Sequence, residues 1–432
     1  MNDVATKGNA VVPRRVSLII CIWTIIILSA DIKVSVNPHI HWIVTGLAII
    51  LIIPYIRQLK IHIPRLYLIS AGLFIFSVLI AAFRSTYPLY DIVEAAKLGV
   101  ILFGAMAFFN SHKEYTHISF KGFTLSAYIN CALIIMGIAF LPILAKEMEL
   151  GRWGTILNYP GSLWRVGIAI FVYSGYLVYK TRFRNLSHII LLLSSLILIV
   201  FDGSRTGMLL LPFGLAYVVT IPMYEKKMKS ISIAFAFIIA LIVGFALIIL
   251  WSHYSPLSQV KPGQQLGAPS RISSLIESAG KGIWGAGQTP EELAANDQIR
   301  ITMLKDVIAA IKLHPLFGTG IGSTKSMTRL GLMVVHITYL QVWADIGLLG
   351  FLSYLLLVLG WVYRAPEAFK KIRCMTNESD RALYYNTIFM LFFFTIAGVF
   401  NPLSTEWSEW ITFIIPYVLF MQVVNISQEL DT

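Results

Sequence analysis

Ionisable residues are scarce in this chain, so the few that interrupt its apolar runs are where chemistry is to be sought. A charge at membrane depth is costly and is kept mainly where it binds, pairs or catalyses. Asp91, Glu94 and Lys97 follow one another at three-residue spacing in DIVEAAK, which places them on one helix face. There they either neutralise each other or present Lys97 to an anion. FDGSRTG, residues 201–207, is a tight polar turn between two apolar runs, and it holds Arg205 at the membrane interface beside two helix ends. A guanidinium stays charged when partly desolvated and offers a fork of donors suited to phosphate oxygens. Taken alone, the same arginine reads equally as a snorkelling interface residue. Arg165, Asp202 and Asp345 complete the set of charges at apolar segments.

His336 stands where a glycine-rich turn, GTGIGS at 318–323, and a basic stretch give way to the apolar VHITYLQVWADIGLLG. An imidazole ionises near neutral pH and suits a general base, although a lone histidine at a helix start is also an ordinary interface residue. GTGIGS looks like a phosphate cradle, yet no strand precedes it and no Lys-Ser or Lys-Thr follows, so its glycines read as a flexible turn. His253 and His314 lack the spacing of a zinc site with His336, and no Gly-x-Ser-x-Gly elbow is present. Neither metal nor cofactor is expected. Cys21, Cys131 and Cys374 suggest no disulfide. In NPLSTEWSEW, Trp407, Trp410, Glu406 and Glu409 form either a sugar-binding rim or part of an interfacial aromatic belt.

The elements that position these residues follow from composition. Hydrophobic residues make up 57% of the 432, only 13% are charged, and mean hydropathy is +0.75. Soluble domains carry roughly a quarter charged residues. The expectation is an all-α polytopic membrane protein with about twelve transmembrane helices, at 16–30, 42–56, 66–83, 91–109, 120–141, 161–179, 187–202, 206–224, 232–252, 334–363, 383–400 and 411–426. The net charge of +12 is explained by topology: Lys and Arg crowd alternate loops, such as Lys226, Lys227 and Lys229, whereas the opposite short loops hold only Lys33, Arg84, Lys146, Arg152 and Arg205. That bias places both termini in the cytoplasm and gives no reason to invoke nucleic acid. The first apolar stretch could also serve as a signal peptide, which would leave the later topology unchanged.

Three regions result: helices one to nine over 1–253, a large outer loop over 254–333, and helices ten to twelve over 334–432. The first half of the loop, rich in Pro, Gly, Ser and Gln, reads as coil. The second half holds NDQIRITMLKDVIAAIKLHP, in which Ile301, Leu304, Ile308 and Ile311 recur at helical spacing. This helix is expected to lie on the membrane surface or against the bundle.

In combination, SRTG, IRITMLKDVIAAIKLHPLFGTGIG and VHITYLQVWADIGLLG, in this order, resemble the O-antigen ligase family and the related O-antigen and polysaccharide polymerases. The resemblance covers most of the chain from about Lys97 to Leu356. It implies a GT-C-like glycosyltransferase in the bacterial inner membrane with its active site facing the periplasm. The glycan would pass from undecaprenyl diphosphate to a hydroxyl of lipid A core, or of a second lipid-linked glycan if the protein is a polymerase. By the same resemblance His336 is the catalytic base, Arg205 and Arg300 bind the diphosphate, and Lys97 is a further basic contact. GRWGTILNYPG, at 151–161, is similar to a family segment, which makes Arg152 and Asn158 candidate acceptor or sugar contacts beside Arg165 of the following span; Trp407 and Trp410 join them if the rim reading of NPLSTEWSEW holds. Family members commonly read His-Asn where this chain has His336-Ile337, so another group must take over whatever that Asn does. Transfer would be inverting and would need neither ATP nor metal. A flippase or secondary transporter also fits twelve spans, although the polar candidates gather at one interface rather than at mid-membrane.

Overall fold

Apolar runs leave a backbone without solvent partners, and helices satisfy their own N–H and C=O groups, so a helical bundle is the expected outcome. A computed structural model describes residues 12–53, 63–149, 152–254, 295–328 and 331–425. Its helices are α1 Arg14–Leu28, α2 Ile32–Ser35, α3 Ile40–Ile52, α4 Arg65–Ala82, α5 Pro88–Gly99, α6 Met106–Asn110, α7 Lys113–Ala139, α8 Leu163–Lys180, α9 Leu186–Asp202, α10 Arg205–Glu225, α11 Ser230–Tyr254, α12 Ala295–Leu313, α13 Thr338–Leu359, α14 Ala365–Cys374, α15 Glu378–Ala397 and α16 Trp407–Asn425. A π-helical turn, Val100–Ala105, joins α5 to α6. Two short antiparallel hairpins complete the described chain, β1 Ala145–Glu149 with β2 Arg152–Thr155, and β3 Lys325–Thr328 with β4 Gly331–Val334.

Within the described residues each of the twelve apolar stretches overlaps a helix, in keeping with a multi-pass membrane protein. Among the described residues, seven helical segments are long and apolar enough to cross a membrane: Arg65–Ala82, Pro88–Asn110, Lys113–Ala139, Thr206–Glu225, Ser230–Ile248, Thr338–Cys374 and Trp407–Asn425. Helices α3 and α9 are apolar but shorter. The coil half of the long loop lies outside the described residues.

Helix α16 is the centre of the bundle, with 89% of its apolar window buried, whereas α11 at 11% is peripheral. Small residues let neighbours approach closely. Ser195 of α9 donates to the Gly167 carbonyl of α8 at 2.7 Å, and Asn386 of α15 donates to the Ala169 carbonyl at 2.7 Å. At the end of the bundle remote from Arg205, Glu225 accepts from Tyr176, Lys180 and Arg381 and ties α8, α10 and α15 together.

Helix α12 does pack against the bundle, but with a different face from the one the spacing suggested. Met303 and Val307 form a small core with Val335 and Ala344, and Ala310 and Ile311 pack on it. Ile301, Leu304 and Ile308 remain exposed. The helix is apolar on more than one side, and the Met303–Val307 stripe is the one covered by β3 and α13.

Helix α13 is broken at Gly347, which takes φ 86° and ψ −179°. The gap is filled by the chain just before the glycine turn: Leu348 N–H donates to the Pro315 carbonyl at 3.0 Å, and Trp343 Nε1 donates to the same oxygen at 3.0 Å. A Cβ at Gly347 would collide with the Leu316 carbonyl. Gly347→Ala is therefore expected to lower the melting temperature of the detergent-solubilised protein, since the backbone strain alone costs about 1–3 kcal/mol. Unchanged melting would contradict the break.

Candidate functional site

The end of the bundle that carries Asp91, Asp202 and the glycine turn is called the upper end below. The turn is not flexible. Gly318, Gly320 and Gly322 all hold positive φ, which only glycine adopts readily, and their backbone wraps Asp345. Thr319 and Gly320 N–H donate to the Asp345 carbonyl at 2.9 and 2.8 Å. Its carboxylate accepts from Gly322 N–H at 2.8 Å, Thr324 N–H at 2.9 Å, Ser323 Oγ at 3.2 Å and Gln341 Nε2 at 3.1 Å. GTGIGS thus cradles an anion, but the anion is the protein's own buried side chain. The neighbouring Ile321 N–H donates to Asp91 at 3.2 Å. The cluster read on α5 divides accordingly, because Glu94 is held by Lys97 at 2.7 Å. Lys97 was expected to contact diphosphate, and here it spends its charge on that pair.

His336 sits half-buried between β4 and α13. The segment around it is clamped from two sides. Val335 is buried in the small core with α12, and Ile337 packs against that core. Thr338 N–H donates to the Gly398 and Asn401 carbonyls at 2.8 and 2.9 Å, its hydroxyl donates to Asn401 at 2.7 Å, and Gln341 accepts from Leu403 N–H at 2.7 Å. The departure at Ile337 therefore has a packing role: the side chain secures the α12 contact.

The Arg205 turn is built on Asp202, which is fully buried. Its Oδ2 accepts from Gly161 N–H at 2.7 Å and Trp164 N–H at 3.1 Å, and its carbonyl accepts from Arg152 Nε at 3.0 Å. Gly203, at φ 66°, ends α9, and Arg205 opens α10. The side chains of Arg205 and Arg300 lie outside what the structure describes; only their places on α10 and α12 are fixed.

Four sequence candidates for sugar contact, Arg152, Asn158, Trp407 and Trp410, have partners within the protein. Arg152 braces Asp202, with its Nη2 3.6 Å from Oδ1. Asn158 is fully buried and bridges Ala30 N–H and Asn130, at 2.9 and 3.2 Å. Trp407 and Trp410 are 3% and 1% exposed, and Trp410 lines the narrow pocket beside Arg165 and Glu409. Trp407 meets Trp23 and Trp42 edge-on, and Trp410 packs on Phe394 while its Nε1 donates to the Ser404 carbonyl at 2.8 Å. Large aromatic faces in a bundle of this composition gain more from burial than from waiting at a surface.

Arg165 is placed as expected, at a cleft. Its Nη1 pairs with Glu409 at 2.5 Å. The cleft, about 440 Å³, is bounded by Arg165, Glu409, Glu406, Lys33, Asp31 and Ser162. A narrow extension shares Arg165 and Glu409 and reaches Thr338 and Asn401. One wall is thus one hydrogen bond from Asp202 in the Arg205 turn, and the other ends two residues from His336. Asp31 and Lys33 were missed by the sequence reading. They lie in a short outer connection some 370 residues from Glu406, and nothing in their local pattern signals a partner.

These features define a helical, multi-pass membrane protein with a polar cleft at its upper end. Residues 189–355 match the family model described as O-Antigen ligase, so this stretch of the chain is similar to that family. Members of the family are glycosyltransferase-like enzymes, ligases or polymerases. The matched stretch contains Arg205, Arg300, the glycine turn and His336, whereas Arg165, Glu406 and Glu409 lie outside it. Comparison with curated proteins gives no match.

Removing the Asp345 carboxylate would orphan the buried Thr324 N–H, at about 1–3 kcal/mol, and the partly buried Gly322 N–H at less. Asp345→Ala is expected to lower the melting temperature and to open residues 316–324 to limited proteolysis. Asp345→Asn, which keeps one acceptor, should be milder. Equal protection in wild type and the alanine variant would contradict the clamp.

Proposed function

We propose that the protein is an O-antigen ligase. It would transfer a glycan from undecaprenyl diphosphate to a hydroxyl of lipid A core, in a bacterial inner membrane that it crosses twelve times. Both termini would be cytoplasmic, the upper end periplasmic, and the architecture GT-C-like. The observation that carries this reading is the cleft itself: Gly161 on its wall donates to Asp202, three residues before Arg205, and its narrow extension reaches Thr338 at the head of α13.

In the proposed step, Arg205 and Arg300 bind the diphosphate and stabilise the charge it gains on leaving. The anomeric carbon–oxygen bond to phosphate breaks, and the diphosphate departs with the electron pair. The acceptor oxygen attacks the opposite face of the anomeric carbon, and His336 takes its proton. Configuration inverts. Both charge on the leaving group and proton on the nucleophile are handled by side chains, and a diphosphate leaves readily, so ATP and metal have no assigned step. Arg165 and Glu409 line the space where the sugars would lie.

The test uses purified protein with undecaprenyl-diphosphate-linked glycan and lipid A core. His336→Ala should lower transfer by about 10²–10⁴-fold, the usual worth of a general base. Arg205→Ala should lower it by about 10²–10³-fold. EDTA should leave the wild-type rate unchanged. Wild-type turnover in either folded variant would remove that residue from the mechanism.

A further inference from the structure

Asp202 occupies a place that its own helix does not favour. It is the last residue of α9, where the backbone dipole is negative, and it is fully buried. A neutral residue there would serve α9 better, so the reason for the carboxylate lies in what it holds. It holds the head of α8. Ser162, at the N-cap of that helix, turns its hydroxyl to Asp31 and the Tyr159 carbonyl, at 2.9 and 2.8 Å. Asp202 Oδ2 takes the capping part from a neighbouring helix, accepting from Gly161 and Trp164 N–H at 2.7 and 3.1 Å. An anion is favourable at a helix start. The same two segments meet again beyond Arg205 in sequence. A Cβ at Gly207 would lie 2.9 Å from the Trp164 Cβ and 3.2 Å from its Cγ. Trp164 has no room to yield, since it is 1% exposed, its Nε1 donates to the Gly161 carbonyl at 2.8 Å, and its ring meets Phe393 edge-on. The turn that carries Arg205 is thus held to the head of α8 three residues before the arginine and two residues after it. That head also carries Arg165 on the cleft wall.

We propose that Asp202 and Gly207 are positioning residues for diphosphate binding: they fix the Arg205 turn against the head of α8, and so set where the diphosphate lies relative to the cleft. Neither is a ligand contact, because Asp202 is enclosed and Gly207 has no side chain. Asp202→Asn would keep an acceptor oxygen but lose the charge that makes both bonds strong. Gly207→Ala would push the first turn of α10 off Trp164, because a packed core takes an extra methyl only with a shift. Either change displaces Arg205 without altering it. The inference rests on the transfer reading for the role of Arg205; the affinity for the diphosphate is measured without any transfer.

The experiment is titration calorimetry of undecaprenyl diphosphate, carrying no glycan, into the purified full chain in detergent. Arg205→Ala should weaken binding, with Arg300 supplying what remains. Asp202→Asn and Gly207→Ala should each weaken it by about 2- to 30-fold, the range for residues that act on a site through its support. The double variants decide. If the two residues act through Arg205, adding either change to Arg205→Ala should cost no further affinity, whereas a general loosening of the bundle would lower affinity by the same factor in both backgrounds. Melting curves establish that each variant is folded, and Gly207→Ala carries the test alone if Asp202→Asn does not fold. Equal loss in both backgrounds, or no loss in either, overturns the positioning and leaves the transfer reading standing. Arg205→Ala binding as tightly as wild type would instead refute the arginine's role in transfer, and the positioning with it.

Discussion

A carboxylate buried among apolar helices must be met by donors, and in this protein backbone N–H groups of glycine turns supply many of them. Asp345 is enclosed by the turn at 318–324, and Asp202 by the turn at 161–164. Both interactions are charge-assisted and shielded from water, where leaving such a group unmet would be expensive. Each also joins segments distant in sequence. Asp345 fixes the end of the long loop onto a broken α13, nine residues after His336. Asp202 fixes the start of α8 against the turn that opens with Gly203 and leads into Arg205. The upper end is positioned largely through these two side chains.

The break at Gly347 is part of the same device. An unbroken α13 would leave no room for the 315–317 chain and no exposed N–H at Leu348 to receive the Pro315 carbonyl. With the break, the loop lies inside the helix line and α12 rests on its outer turn through Met303, Val307 and Ala344. The residues nearest the proposed chemistry thus belong to a braced loop rather than a free one, as preorganised catalysis requires.

The helices were legible because apolar runs of this length admit little else: each expected stretch overlaps a helix among the described residues, and seven segments are long and apolar enough to cross a membrane. The polar network was legible only in kind. GTGIGS was read as an anion cradle in form and as a flexible turn in use; the cradle is present, and its anion, Asp345, lies 22 residues further along, beyond the reach of local spacing. Trp407 and Trp410 have the composition of a sugar rim, but burial against Trp23, Trp42 and Phe394 outweighed exposure. Arg152 and Asn158 were selected by resemblance as contacts, and the structure spends them on support. Lys33 and Asp31 had no visible role until folding brought the first outer connection against Glu406. The residues proposed for chemistry lie within the family-matched stretch, whereas the charged walls of the cleft lie outside it.

The measurement that tests the central reading most directly is the product formed by wild-type protein reconstituted with undecaprenyl-diphosphate-linked glycan and lipid A core, without ATP. Mass analysis should find the glycan covalently attached to the lipid A core with inverted anomeric configuration. Lengthening of the donor glycan alone would contradict the ligase assignment in favour of a polymerase. Absence of any glycan transfer, with a proton-driven movement of the lipid-linked glycan in its place, would contradict the enzyme reading altogether.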